Sequence, residues 1–244
     1  MNKVVLVTGA SRGIGRSTVI EFAKKGYDVV INYFNSDEKA IELKKEVEEN
    51  YQVKALTIKA DVSNEEEVKT MVEKVILEFG HIDCLVNNAG IAIDTIFEDK
   101  TKDNFIKILN TNLIGPFLVS KEVGKYMKNA KKGSIINVSS TNGIDTIYPE
   151  SIDYDASKAG LISLTKNLAI EYSPYIRVNS VAPGWVLTDM NKELDNEFID
   201  KETEKILLNR FADPSEIAKV IVFLDSSDAS YINGEVIRID GGCQ

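Results

Sequence analysis

Seven short apolar runs rich in β-branched residues alternate with longer stretches of helical periodicity along the whole 244-residue chain. They are Val4–Thr8, Val29–Tyr33, Ala55–Ala60, Cys84–Asn87, Ile135–Ser139, Ile176–Val181 and Val236–Ile239. That alternation predicts a mostly parallel sheet with helices on both faces, a three-layer α/β/α arrangement of the doubly wound type. The runs are almost continuously apolar, as strands buried on both sides must be. No repeat, linker or low-complexity tract interrupts the order, so one domain is expected.

Local signals place several helices. Ser63-Asn64-Glu65-Glu66 and Asp213-Pro214-Ser215-Glu216 each offer a side-chain acceptor followed by a Glu that can satisfy free backbone donors. A long helix is expected over Lys102–Asn129, accommodating Gly115-Pro116, and another over Tyr154–Tyr172. The stretch 191–208 reads as a helical insertion.

Charge and cysteine content narrow the function. The 29 Lys and Arg against 38 Asp and Glu leave a formal net charge of −9, which argues against broad neutralisation of nucleic-acid phosphates. Cys84 and Cys243 are the only cysteines and His81 the only histidine, so neither a disulfide framework nor a metal site is expected. The apolar run at Val4–Val7 is too short for a signal peptide or a membrane span, and a cytoplasmic protein is the expectation.

The first strand runs into Gly9-Ala10-Ser11-Arg12-Gly13-Ile14-Gly15 and then a helical pattern. Glycines at such a turn allow tight bending and close approach of a pyrophosphate, and the helix N-terminus supplies free N–H groups. The spacing 9, 13, 15 is not the G-x-G-x-x-G pattern, so context must carry a nucleotide site here. The second strand ends Asn32-Tyr33-Phe34-Asn35-Ser36 with no acid before Asp37, whereas NAD sites usually place one there for the ribose. Arg12 can reach a 2′-phosphate instead. NADP(H) is therefore preferred over NAD(H). Asp61-Val62 follows the third strand, where Asp61 could meet an adenine amine or simply begin the next loop.

Tyr154 and Lys158 stand four apart at the head of a helix, on one face. A neighbouring ammonium favours the phenolate and would tune Tyr154 as a proton donor. Ser139 and Ser140 close the fifth strand, where a hydroxyl can polarise a carbonyl.

At these residues the chain resembles the short-chain dehydrogenase/reductase family. The matching segments are Thr8–Gly15, Asn87-Asn88-Ala89-Gly90, Asn112, Ser140, Tyr154 with Lys158, Pro183-Gly184-Trp185-Val186-Leu187-Thr188 and Asp240-Gly241-Gly242, in the family's order. The resemblance implies a Rossmann-type fold, with Tyr154 as general acid, Ser140 on the carbonyl oxygen, Lys158 on the nicotinamide ribose and Asn112 anchoring a relay water. It also implies that Asn88, Ala89 and Gly90 line the cofactor, that Pro183 and Gly184 flank it, and that Val186 and Thr188 meet its carboxamide. The Ser140–Tyr154 separation is one residue longer than the family's, which a loop insertion would absorb. Alignment of Gly143 selects Ser140, with Ser139 as the alternative. His81 is expected to be structural, and Trp185 to serve as substrate wall or lid packing.

Within the family the chain is most similar to 3-oxoacyl-(acyl-carrier-protein) reductases, through Ser11-Arg12, Asn32-Tyr33, Thr188-Asp189-Met190 and Tyr231-Ile232-Asn233-Gly234. That implies reduction of a 3-oxoacyl thioester, with free ketones, alcohols or sugars as the alternative substrates and a non-catalytic nucleotide-binding protein as the third reading. Lys121, Lys125, Lys128 and Lys132 fall on one helical face, with Lys131 beside them, and could meet an acidic carrier protein. A helical substrate lid is expected around 188–210. Its acids Glu193, Asp195, Glu197, Asp200, Glu202 and Glu204, against Lys192, Lys201 and Lys205, would repel such a carrier. The resemblance further implies a homotetramer, with the helices 102–129 and 154–172 and the last strand at subunit contacts.

Overall fold

The computed structural model describes residues 1–189 and 195–243. Met190, Lys192, Glu193 and the rest of 190–194, all part of the expected lid or its flank, lie outside the described residues. Seven strands, β1 (Val4–Val7), β2 (Asp28–Tyr33), β3 (Ala55–Lys59), β4 (Cys84–Asn87), β5 (Gly133–Val138), β6 (Ile176–Pro183) and β7 (Val236–Ile239), form one sheet in the order β3-β2-β1-β4-β5-β6-β7. Every pairing is parallel, so each strand must be reached by a crossover, and the helices that make the crossovers cover both faces.

The period-two alternation of a strand divides the core between those faces. Val5 and Val7 pack with Val29, Ile31 and Val86 under α1 (Gly13–Lys24), α2 (Asp37–Tyr51) and α8 (Pro214–Asp225). Val4 and Leu6 turn the other way, packing with Val30, Leu85 and Ile135 under α3 (Glu65–Phe79), α5 (Gly115–Ala130) and α6 (Ile152–Tyr172). Among the described residues no helix is long and apolar enough to cross a membrane.

The helix starts follow their local chemistry. Asn64 caps α3 by accepting from the backbone of Glu66 and Glu67, and Asp213 forms a full capping box with Glu216 ahead of Pro214.

The long helix expected over Lys102–Asn129 is instead two helices, α4 (Lys102–Leu109) and α5, joined by a π-helical turn over Asn110–Ile114. Pro116 is the cause. It has no N–H to give the carbonyl four residues back, that of Asn112, and its ring crowds it. The ladder widens, and the Gly115 N–H bonds to the Asn110 carbonyl. Such turns leave a carbonyl available inside a helix and recur at functional sites.

Beyond β6, residues 196–204 form α7 (Asn196–Glu204), capped by the Asp195 carboxylate, which accepts from Phe198 N at 2.7 Å. The chain runs outward from β1 on both sides, to β2 and to β4, and this reversal opens a crevice at the carboxyl ends of the central strands. A cavity of about 1260 Å³ lies there.

On one face of the sheet α5 crosses α6 closely. The crossing depends on Gly124, where a Cβ would stand 2.4 Å from the Tyr172 hydroxyl. That hydroxyl donates to the Ser120 carbonyl at 2.9 Å. Gly124→Ala is expected to lower stability in urea unfolding by about 1–3 kcal/mol through overpacking; an unchanged midpoint would refute this account of the crossing.

Candidate active site

The glycine turn is held by three polar residues. Thr8 Oγ1 accepts from the backbone of Asn88 and Ala89 at 3.0 and 3.1 Å, and Asn88 Nδ2 returns bonds to the Thr8 and Gly9 carbonyls at 2.9 and 3.0 Å. Asn32, buried at the end of β2, accepts from Gly9 N at 3.3 Å and donates to the Ile58 and Ala60 carbonyls. The ends of four strands are thereby tied together. Gly9 has φ +61, and a Cβ there would meet Ala89 Cα at 2.7 Å, so only glycine allows the turn to approach β4 this closely.

Of the expected nucleotide residues, Gly9, Ser11, Arg12, Gly13, Ile14, Asn35, Asp61, Val62, Asn88, Ala89, Gly90, Pro183, Gly184, Val186 and Thr188 line the cavity. Gly15 does not: it is buried, and a Cβ there would strike Asn88 Nδ2 at 2.5 Å, so it serves the packing of helix on strand. Asp61 lines the cavity but also begins the next loop, its Oδ1 accepting from Ser63 N and Oγ at 2.8 and 2.7 Å. Arg12 is exposed and makes no ion pair among the described residues. Asp37, the first acid after β2, turns to Lys59 and Tyr33, each at 3.2 Å.

Ser140, Tyr154 and Lys158 line the same cavity. Gly143 allows this. A Cβ there would lie 2.6 Å from the Lys158 backbone, so the turn after β5 can press onto α6. The loop insertion is taken up by two short 3-10 turns, Thr141–Gly143 and Pro149–Ser151. Ser139 spends its hydroxyl on the Lys158 carbonyl at 2.9 Å, and Ser140, the one beside the Tyr154 phenol, donates to Asn142 Oδ1 at 3.1 Å and accepts from Asn142 N at 3.2 Å. Both serines line the cavity.

The tuning of Tyr154 differs from expectation. Burial pushes its phenol up to about 12, and the neighbouring Ser140 hydroxyl brings it only part of the way back. The expected depression by Lys158 does not arise, because the ammonium sits over the ring, 5.4 Å from its centroid, and donates to the Val138 carbonyl at 2.8 Å. Desolvation in turn draws Lys158 down to about 8. Tyr154 thus holds a proton to give, and Lys158 is a buried cation with one protein partner among the described residues. An ammonium has three donors, so two remain for a ligand.

Asn112 lies beneath, fully buried and outside the cavity lining. Its side chain clamps both backbone groups of Ile91 at 2.9 Å and donates to Ser157 Oγ at 3.1 Å. Its amide is spent on these bonds, and Pro116 has no N–H to give its carbonyl.

A family model described as enoyl-(acyl carrier protein) reductase matches residues 9–244. The chain is 41% identical over 243 residues to the 3-oxoacyl-[acyl-carrier-protein] reductase FabG of Staphylococcus epidermidis, covering 99% of each. It belongs to the short-chain dehydrogenase/reductase family. Among solved structures it is similar to levodione reductase, with TM-score 0.91 and 37% identity over 98% of this chain and 96% of that one. It is also similar to ElxO with NADP bound, with TM-score 0.90 and 35% identity over 99% and 98% of the two chains.

Several residues of this short-chain dehydrogenase/reductase carry the site without a motif to announce them. Lys100 and Asp153 form a buried ion pair at 2.7 Å beside Tyr154, and Lys100 also donates to the Ile93 carbonyl. Asn142 donates to Asp155 at 2.7 Å. Tyr148 and Phe198 add aromatic walls to the cavity beside Trp185. None lies at a spacing that could have pointed to it, because the partners come from separate elements. His81 lies at the opposite edge of the sheet, bridging the Phe79 and Asn2 carbonyls.

The expected basic face is neutralised. Lys121 pairs with Glu65, Lys125 with Glu122, Lys128 with Glu171 and Lys132 with Asp83, at 2.9, 2.7, 2.6 and 2.9 Å. Lys131 lies over the Tyr175 ring.

Lys158 is a stability cost with a definite sign. Lowered from 10.5 to about 8, it binds a proton less readily than in the unfolded chain, so its penalty is complete below pH 8 and is relieved as pH rises toward 10.5. The shift corresponds to about 3 kcal/mol, offset by about 1 kcal/mol for the hydrogen bond it makes. Lys158→Met is expected to raise unfolding stability at pH 7 by about 1–2 kcal/mol, with the gain shrinking between pH 8 and 10.5. A destabilised variant at pH 7 would overturn this.

Proposed function

We propose that this chain is a cytoplasmic, NADPH-dependent reductase of 3-oxoacyl thioesters, giving the 3-hydroxyacyl product with Tyr154 as general acid. The observation that carries the reading is the meeting of the Ser140 hydroxyl, the protonated Tyr154 phenol and the buried Lys158 ammonium in one cavity with the glycine turn.

The residues present fit a nicotinamide dinucleotide. Gly9, Gly13 and the N-terminus of α1 form a cradle that side chains would fill, suited to a pyrophosphate. Arg12 is free for a 2′-phosphate, and no acid at the end of β2 faces the cavity, which supports NADP(H) over NAD(H). The two unpartnered donors of Lys158 suit ribose hydroxyls, while Val186 and Thr188, with Pro183 and Gly184 flanking the cofactor, would meet the carboxamide.

When bound, the cofactor supplies a hydride for the carbonyl carbon. The protein handles the oxygen. Ser140 donates a hydrogen bond to it and Tyr154 Oη passes its proton to it as negative charge develops. The phenolate left behind is stabilised by the adjacent Lys158 cation. Water reaching Tyr154 through the cavity would restore the proton. Helix α7, whose Phe198 lines the cavity, forms part of the substrate lid. Exposed Ile114, Phe117, Ile170 and Tyr231 support the proposed homotetramer.

A second reading, reduction of free ketones, draws on the neutralised lysines and on the likeness to levodione reductase. Absorbance assays with NADPH and NADH over acetoacetyl thioesters, free diketones and sugars separate the two. Turnover with thioesters and NADPH is expected, and activity confined to free ketones would sink the first reading. Tyr154→Phe should lose about 10³-fold in kcat with NADPH affinity intact, and unchanged turnover would refute the mechanism. Arg12→Ala should weaken NADPH binding roughly 10- to 100-fold, as expected for charge-assisted hydrogen bonds, while leaving NADH binding unaltered.

A further inference from the structure

Glu202 is a carboxylate that none of these steps uses, yet it is among the most buried charges in the molecule, at 2% exposure. It projects from α7 and binds three donors from three parts of the chain. Its Oε2 accepts from the Tyr148 hydroxyl at 2.6 Å and from Trp185 Nε1 at 3.1 Å, while Lys205 Nζ donates to Oε1 at 2.5 Å. Tyr148 belongs to the loop between β5 and α6 that carries the insertion, and Trp185 follows β6.

The same two aromatic residues, with Phe198 of α7, line the cavity that holds Tyr154. Trp185 is the centre of the group. Tyr148 and Phe198 meet it edge-on at 5.8 and 5.5 Å between centroids, and Phe211 stacks on it at 5.4 Å. Tyrosine and tryptophan each have an apolar body and one polar tip. Here both tips are spent on one carboxylate. Burial pushes Glu202 up, but the hydrogen bonds from Lys205, Tyr148 and Trp185 outweigh it and hold the group below its ordinary value.

We infer that Glu202 is a positioning residue for substrate specificity: by binding the Tyr148 and Trp185 donors it ties α7 to the cavity and fixes an aromatic wall whose hydrogen-bonding tips are turned away from the substrate. The chemistry this selects is an apolar substituent beside the reacting carbonyl, an aliphatic or flat ring group. A polyhydroxylated substrate loses hydrogen bonds to water there and gains none from the committed donors, which disfavours it modestly for each hydroxyl buried. The specificity part rests on Tyr154 acting as the general acid at this cavity; the structural part does not.

Trp185 is the only tryptophan in the chain, so its fluorescence reports on the wall without any turnover. Glu202→Gln and Tyr148→Phe would be compared with wild type and with Glu197→Gln, which removes an exposed acid from the same helix. Folding would be checked by circular dichroism. Both test variants should red-shift Trp185 emission and raise acrylamide quenching about two-fold, and should increase KM for an acetoacetyl thioester about 10-fold with kcat changed less than about 3-fold. NADPH affinity and the Glu197→Gln control should stay as in wild type. Tyr148→Phe keeps its ring and so tests the latch even where Glu202→Gln fails to fold. Unchanged emission and quenching in folded Tyr148→Phe would overturn the inference, as would a fall in kcat at constant KM. A chain inactive on every thioester, but with the fluorescence changes intact, would defeat the functional reading and leave the latch standing.

Discussion

The contact between the ends of β1 and β4 is the constraint on which the rest of the site depends. Gly9 reaches within touching distance of Ala89 only because it lacks a Cβ, and Thr8 and Asn88 close the contact with hydrogen bonds in both directions. Remove the closeness and two things fail together. The glycine turn no longer presents its N–H groups beside β4, and Gly90 no longer leaves open the space next to Lys158, whose Nζ stands 3.5 Å from where a Gly90 Cβ would be. The phosphate end and the chemical end of the cavity are thus set by one short junction, an economy open to a parallel sheet because strand ends of one polarity share an edge.

Stability and chemistry pull against each other at α6. A lysine drawn down to about 8 with a single hydrogen bond to the protein would be a poor choice for folding alone. Its neighbour Tyr154 is raised by the same burial. Desolvation therefore acts oppositely on the two groups. It keeps the phenol protonated and makes the ammonium easier to neutralise, so the difference between their proton affinities is larger than in water. A bound ligand that satisfies the free donors of Lys158 would hold its charge more firmly. The expectation of a depressed Tyr154 was sound for the pair in isolation, and fails here because Lys158 lies over the ring with its ammonium turned to the Val138 carbonyl, so burial sets the direction.

Most of the fold was legible because it rests on periodicity. Seven apolar runs became seven strands with ends displaced by two residues at most, β5 beginning at Gly133 and β6 continuing to Pro183. The helix that broke at Asn110–Ile114 was also foreseeable in kind, since Gly115-Pro116 was visible; what a sequence lacks is the knowledge that the ladder would widen and continue instead of ending. The site was legible where a motif is local, as with Tyr154 and Lys158 four apart or the turn from Gly9 to Gly15. It was not legible where polar partners are remote. Asn32 reaches the glycine turn across 23 positions, Lys100 reaches Asp153 across 53 and Tyr148 reaches Glu202 across 54. Each such bond is fixed by how elements pack, and no one-dimensional pattern encodes it.

Charge was the property most altered by folding. Four lysines that form a basic face on paper each already hold an acid, and Glu202, one of six acids assigned to the lid, points inward with three donors around it. Exposed pairs of this kind exchange partners at little net gain. An acidic carrier docking on that face would have to release Glu65, Glu122, Glu171 and Asp83 into its own field, so Coulombic attraction there is largely spent before any partner arrives. Under the proposed reading, selectivity must then come from inside the cavity, where apolar contact with a fixed aromatic wall does not depend on the carrier at all. On this argument the surface decides how often a substrate is met, and Tyr148, Trp185 and Phe198 decide which one is kept.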